Sequence, residues 1–61
     1  MQSSFSERLI DAIEKSGLKP REIAERIGVP YGTLNHWKYG ERTPSRFVQD
    51  SIIAEIEKLT R

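Results

Sequence analysis

The chain contains no cysteine and one histidine among its 61 residues. Disulfides are thereby excluded, and the histidine has no cysteine or second histidine to help it hold a metal. Long apolar runs are missing as well. Nothing approaches the roughly 20 residues of a membrane span, and no basic segment followed by a hydrophobic stretch opens the sequence. The expectation is a cytoplasmic protein with no membrane attachment. Also absent is any phosphate-binding glycine loop, and no carboxylate or nucleophile stands in a motif around His36. So short a chain has little room for an enclosed substrate pocket. The sequence therefore reads as a non-enzyme with no cofactor, no metal and no small-molecule substrate. A chain of this length buries only about 60% of the surface its unfolded form exposes, so one small helical core has to supply the stability.

What is present is charge, unevenly spread. The net charge is +1, but residues 15–46 hold seven cations (Lys15, Lys19, Arg21, Arg26, Lys38, Arg42 and Arg46) against Glu22, Glu25 and Glu41, a local excess of four. Both ends are acidic in balance. Such an asymmetry marks either a face for a polyanion or a set of solvated side chains.

Punctuation divides the chain into four helices and one domain, residues 1–61. Ser4 and Glu7 have the spacing of a capping box, in which each side chain can satisfy the other residue's free backbone N–H. Phe5, Leu9, Ala12 and Ile13 follow at helical intervals until Gly17 and Leu18 supply a stop, which predicts helix 1 over 5–16. Pro20 suits a first helical turn, and Ile23, Ala24 and Ile27 form a stripe ending at Gly28, so helix 2 covers 20–27. Leu34 and Trp37 give helix 3 (31–39) its buried side before Gly40. Beyond Pro44, the apolar residues Phe47, Val48, Ile52, Ile56 and Leu59 sustain a long helix 4 over 45–60. The fold class is all-α, a compact four-helix domain with a long C-terminal helix.

A bihelical turn needs a small residue where its helices cross, a glycine in the turn, and inward apolar residues from both helices. Ala24, Gly28, Val29, Leu34 and Trp37 meet those needs in order. Residues 18–44 resemble the helix-turn-helix of the phage repressor and Cro-type family, the XRE-like regulators. Trp37-x-x-Gly40-x-Arg42-x-Pro44 is similar to that family's segment after the recognition helix, and helix 1 falls where the family's does. The resemblance implies a lambda-repressor-like fold. Three departures stand out. Lys19-Pro20 replaces the family's usual Thr-Gln at the start of helix 2. Ile13 and Lys38 occupy the positions of a frequently buried Arg–Glu pair, both partners having changed together. Pro30 stands where a capping Ser is usual.

In the docking mode that the resemblance implies, helix 3 lies in the major groove of double-stranded DNA. At about 100° per residue, the face opposite Leu34 and Trp37 carries Gly32, Asn35, His36 and Tyr39, joined by Tyr31 from the first turn. These five are the candidate base-contacting residues. Asn35 can bind adenine in a bidentate contact, His36 can donate to guanine N7 or O6 or to a phosphate, and Tyr31 can pack on a thymine methyl, while Gly32 permits close approach. The candidate phosphate contacts are Lys19, Arg21, Thr33, Lys38, Arg42, Thr43 and Arg46. For each aromatic and for His36 a plainer role exists: Trp37 as core, Tyr31, Tyr39 and His36 as ordinary surface residues.

The resulting expectation is a sequence-specific transcriptional regulator, a repressor of Cro type, in a bacterial or phage-infected cell. One recognition helix reads few base pairs, so a palindromic operator read by a weak homodimer, formed or strengthened on DNA, is expected. The apolar stripe of helix 4 is expected to pack mainly on helices 1 and 3, but it holds more isoleucine than one narrow stripe requires, which nominates Ile52, Ile53, Ile56 and Leu59 as the dimer interface. The competing class is a protein-interaction module of the same shape, such as an antitoxin, adaptor or coactivator-like domain.

Overall fold

The helices of the computed structural model, which describes residues 4–60, begin and end at residues whose chemistry interrupts the hydrogen-bond ladder. They are α1 (Phe5–Ser16), α2 (Pro20–Ile27), α3 (Tyr31–Lys38) and α4 (Arg46–Leu59). Residues 1–3 and 61 of the expected domain lie outside the described part. No strand occurs among the described residues, and none of their helices is long and apolar enough to cross a membrane.

Ser4 caps α1 by accepting the Glu7 N–H at 3.2 Å. Its hydroxyl also donates to the Glu7 carboxylate at 3.3 Å, so Glu7 answers through the Ser4 side chain. Between α2 and α3 the chain reverses at Gly28, whose φ of +74 is a left-handed conformation that a Cβ disfavours. There the Val29 N–H donates to the Ala24 carbonyl at 2.9 Å. Ser45, unread in the sequence, caps α4 weakly by accepting the Val48 N–H at 3.5 Å.

One core joins the helices. It consists of Phe5, Leu9, Ala12 and Ile13 from α1, Ile23 and Ala24 from α2, Leu34 from α3, and Ile52, Ile53 and Ile56 from α4. Leu18, Ile27, Val29 and Trp37 close its rim. The small side chain of Ala24 is buried as well, as a close helix crossing requires. α4 lies mainly along α1 and also touches α2, while α3 packs on α1 and α2.

The structure corrects the expected role of α4. Ile52 and Ile53 are almost fully buried and Ile56 completely so, which commits all three to the monomer's core. They cannot form a dimer interface without opening that core. Leu59, the fourth nominated residue, is half-buried. Conversely Phe47, counted in the apolar stripe, is 84% exposed, and Val48 is exposed too. The reason is angular: at about 100° per residue Phe47 points about 180° away from Ile56.

Truncating a fully buried aliphatic side chain typically costs about 2–5 kcal/mol, and a domain this small has little more in total. Ile56→Ala should therefore lower the melting temperature steeply, and Ile53→Asp should abolish the folded state. Phe47→Ala should leave stability within about 0.5 kcal/mol of the parent. Thermal denaturation followed by circular dichroism checks all three.

Candidate nucleic-acid interface

α3 owes its placement to its buried side. Leu34 is fully enclosed in the core. Trp37, half-buried, meets the ring of Phe5 edge-on, with centroids 6.0 Å apart and planes at 72°. The contact makes Trp37 a packing residue, as its position beside Leu34 leads one to expect. The Ser6 hydroxyl donates to the Lys38 carbonyl at 2.6 Å, tying the start of α1 to the end of α3. Sequence periodicity gave no sign of that bond, because it joins residues 32 apart through a hydroxyl. At the other end of α3, Pro30 provides no side-chain cap.

The outward side of α3 carries most of the expected base-contacting residues. Gly32 and His36 are exposed and Asn35 is half-buried. Tyr31 is exposed, and the Arg21 guanidinium lies 5.0 Å from its ring centroid, a cation–π contact joining the beginnings of α2 and α3. Tyr39 stands apart from this group: it follows the last helical residue as the C-cap, is 72% exposed, and has the Lys38 ammonium 5.9 Å from its ring. It belongs to the margin of the surface.

Gly40, at φ +75, turns the chain back at the end of α3. Its N–H donates to the Trp37 carbonyl at 3.2 Å, and the N–H groups of Glu41 and Arg42 converge on the His36 carbonyl at 2.9 and 3.4 Å. This turn brings the Glu41 carboxylate to 2.9 Å from His36 Nδ1. The histidine thus has a carboxylate partner, where the sequence showed no motif around it. The five-residue separation matches no helical pairing rule; only the left-handed glycine between them closes it.

The cations of the described residues divide into two sets. Lys15 pairs with Asp11 at 3.0 Å, Arg26 with Glu22 at 3.2 Å, Lys58 with Glu55 at 3.6 Å, and Arg8 with Asp50 at 3.8 Å. Lys19, Arg21, Lys38, Arg42 and Arg46 form no ion pair with any described carboxylate. Those five are the cations nominated for phosphates. Thr43 is exposed in the loop after α3, and Thr33 is half-buried on α3 itself. The substituted Arg–Glu position also has a consistent local chemistry: Ile13 is buried and Lys38 half-buried, so no charge is left enclosed there. Lys19, in place of the family's capping threonine, makes no side-chain cap to α2.

Residues 9–48 match the family model described as "Helix-turn-helix". The chain is also similar to the "Repressor protein C" of Escherichia phage P2, with 32% identity over 53 residues that cover 87% of this chain and 54% of that protein. It spans about half the length of that relative. No solved structure gives a significant match.

Ser6→Ala should cost about 1 kcal/mol, because it leaves the Lys38 carbonyl without its protein donor. By contrast, His36→Ala and Arg42→Ala should each change stability by less than about 0.5 kcal/mol, as expected for side chains not needed to hold the fold. Urea denaturation of the three variants measures the contrast.

Proposed function

We propose, since the chain belongs to the helix-turn-helix family, that it binds double-stranded DNA in a sequence-specific way and regulates transcription, with α3 in the major groove. The observation that carries this reading is the exposed face of α3, held from behind by Leu34 and Trp37 and accompanied by five cations without a described carboxylate partner. Asn35 and His36 supply the groups for base edges, Tyr31 an apolar face, and Gly32 room for close approach. Tyr39 contributes from the margin. Lys19, Arg21, Lys38, Arg42 and Arg46, with the hydroxyls of Thr33 and Thr43, meet phosphate oxygens and set the register. The name of the phage P2 relative supports repression as the outcome, in the manner of the Cro type and within a bacterial or phage-infected cell.

The operator is a palindrome bound by two copies of the chain. A single eight-residue recognition helix reads few base pairs, whereas a two-fold pair reads half-sites about one helical turn apart. The joint between copies is not the isoleucine stripe of α4, which the monomer's core uses.

One observation favours a second reading, a protein-interaction module: Phe47 is an almost fully exposed aromatic. Affinity for duplex DNA that falls steeply with salt supports the DNA reading, and salt-insensitive binding to a protein supports the other.

Asn35→Ala and His36→Ala should each weaken binding to a selected operator by about 1–3 kcal/mol and leave binding to random duplex nearly intact. Equal losses on both DNAs in a gel-shift comparison would remove those residues from base reading. Arg42→Ala and Arg46→Ala should weaken binding to every sequence and reduce the slope of log affinity against log salt by about one unit each. An unchanged slope would take these arginines off the phosphates. Sedimentation of the chain with a full operator should show two copies per duplex; one copy would contradict the palindromic arrangement.

A further inference from the structure

We propose that Glu41 is a positioning residue that fixes the tautomer of His36, so that the neutral imidazole presents an acceptor to the major groove and selects an exocyclic amine of adenine or cytosine. The inference rests on the reading of α3 as the groove-facing helix.

His36 Nδ1 lies 2.9 Å from Glu41 Oε1. An ionised carboxylate accepts hydrogen bonds and donates none, so Nδ1 must carry the proton in this pair. A neutral imidazole has one donor nitrogen and one acceptor nitrogen. With the proton held on Nδ1, Nε2 keeps its lone pair. The two nitrogens diverge across the ring, so a carboxylate bound at Nδ1 leaves Nε2 free to face another partner, and no described residue hydrogen-bonds to it. The side chain is about half exposed, at 51%.

The backbone makes the pairing repeatable. Glu41 and Arg42 donate their N–H groups to the carbonyl of His36 itself, and the left-handed Gly40 permits the reversal. Glu41 is thus tethered to the residue it orients. An exposed pair of this kind contributes little to stability. Its consequence is chemical, since it decides which nitrogen bears hydrogen, much as outer partners fix the tautomer of metal-binding histidines.

In the major groove the donors are adenine N6 and cytosine N4, while guanine N7 and O6 and thymine O4 accept. A lone-pair Nε2 therefore recognises an amine. This reverses the role that His36 would have alone, as a donor to guanine. Loss of Glu41 releases the ring to the Nε2–H form that unpartnered histidine favours in water, and with it the preference for amines.

Two measurements test this on the neutral imidazole. In the first, long-range nitrogen–proton NMR of the free protein reads the tautomer directly. The expected result is Nδ1–H in the parent chain and a shift toward Nε2–H in Glu41→Ala. An Nε2–H parent would overturn the proposal without touching the DNA reading. In the second, a site selected from random duplex is resynthesised with single amines deleted, purine for adenine or 2-pyrimidinone for cytosine, or with single N7 atoms removed as 7-deazapurines. Deletion of one amine should weaken the parent about three- to tenfold, and the same deletion should cost nothing in His36→Ala or Glu41→Ala. A His36-dependent loss that falls on an N7 deletion would overturn the acceptor assignment. If His36→Ala binds the selected site as the parent does, the placement of His36 in the groove fails, and the proposal with it, whatever tautomer the NMR reports.

Discussion

α3 is eight residues long and carries no side-chain cap at its N-terminus. Isolated helices shorter than about 12–15 residues are marginal in water even when their composition is favourable, and this one includes Gly32 and the β-branched Thr33. Its existence and its direction therefore depend on tertiary packing. Leu34 inserted in the core, the edge of Phe5 on Trp37, and the Ser6 hydroxyl on the Lys38 carbonyl supply that packing. All three act from one side, which leaves the opposite side of α3 free of folding duties.

That division explains the distribution of chemistry over the molecule. Leu34 shares one buried core with the apolar residues of α1, α2 and α4, and α3 is seated directly on α1 and α2. The groups available for recognition lie on the outer face of α3, at the start of α2 (Lys19 and Arg21), and from the end of α3 through the following turn to the start of α4 (Lys38, Tyr39, Arg42, Thr43 and Arg46). Arg21 reaches Tyr31 from α2, and Glu41 reaches His36 from the turn after Gly40. Both contacts limit the rotamers of side chains that would otherwise be free at the surface, and preorganisation of this kind lowers the ordering cost of binding. The cations without carboxylate partners need no ion pair to be broken before they meet a polyanion.

Much of this was legible in the sequence, for identifiable reasons. Gly17, Gly28 and Pro20 act locally, so the ends of α1 and α2 can be read from them. The four helices expected are the four observed, with α3 ending one residue earlier and α4 shorter by one at each end. The buried side of α3 follows from Leu34 and Trp37 being three residues apart. The faces of α4 were less legible, since Phe47, Val48, Ile52, Ile56 and Leu59 look continuous as a list of apolar residues. Their helical angles separate Phe47 from the rest and place Ile52, Ile53 and Ile56 on one arc, so the signal lay in the phase of the pattern. The contacts of Ser6 with Lys38 and of His36 with Glu41 had no such signal. They depend on where a loop or a distant helix delivers one side chain, which neither propensity nor periodicity encodes.

We propose that the core holds α3 so that its outward face, with the start of α2 and the turn after α3, meets DNA. Backbone amide NMR of the chain titrated with a selected operator duplex tests this most directly. The largest shift changes should fall at Tyr31, Gly32, Asn35 and His36 and from Gly40 to Arg46, with the middle of α4 nearly unmoved. Shift changes concentrated on the exposed side of α4, around Phe47, with α3 unaffected would contradict it.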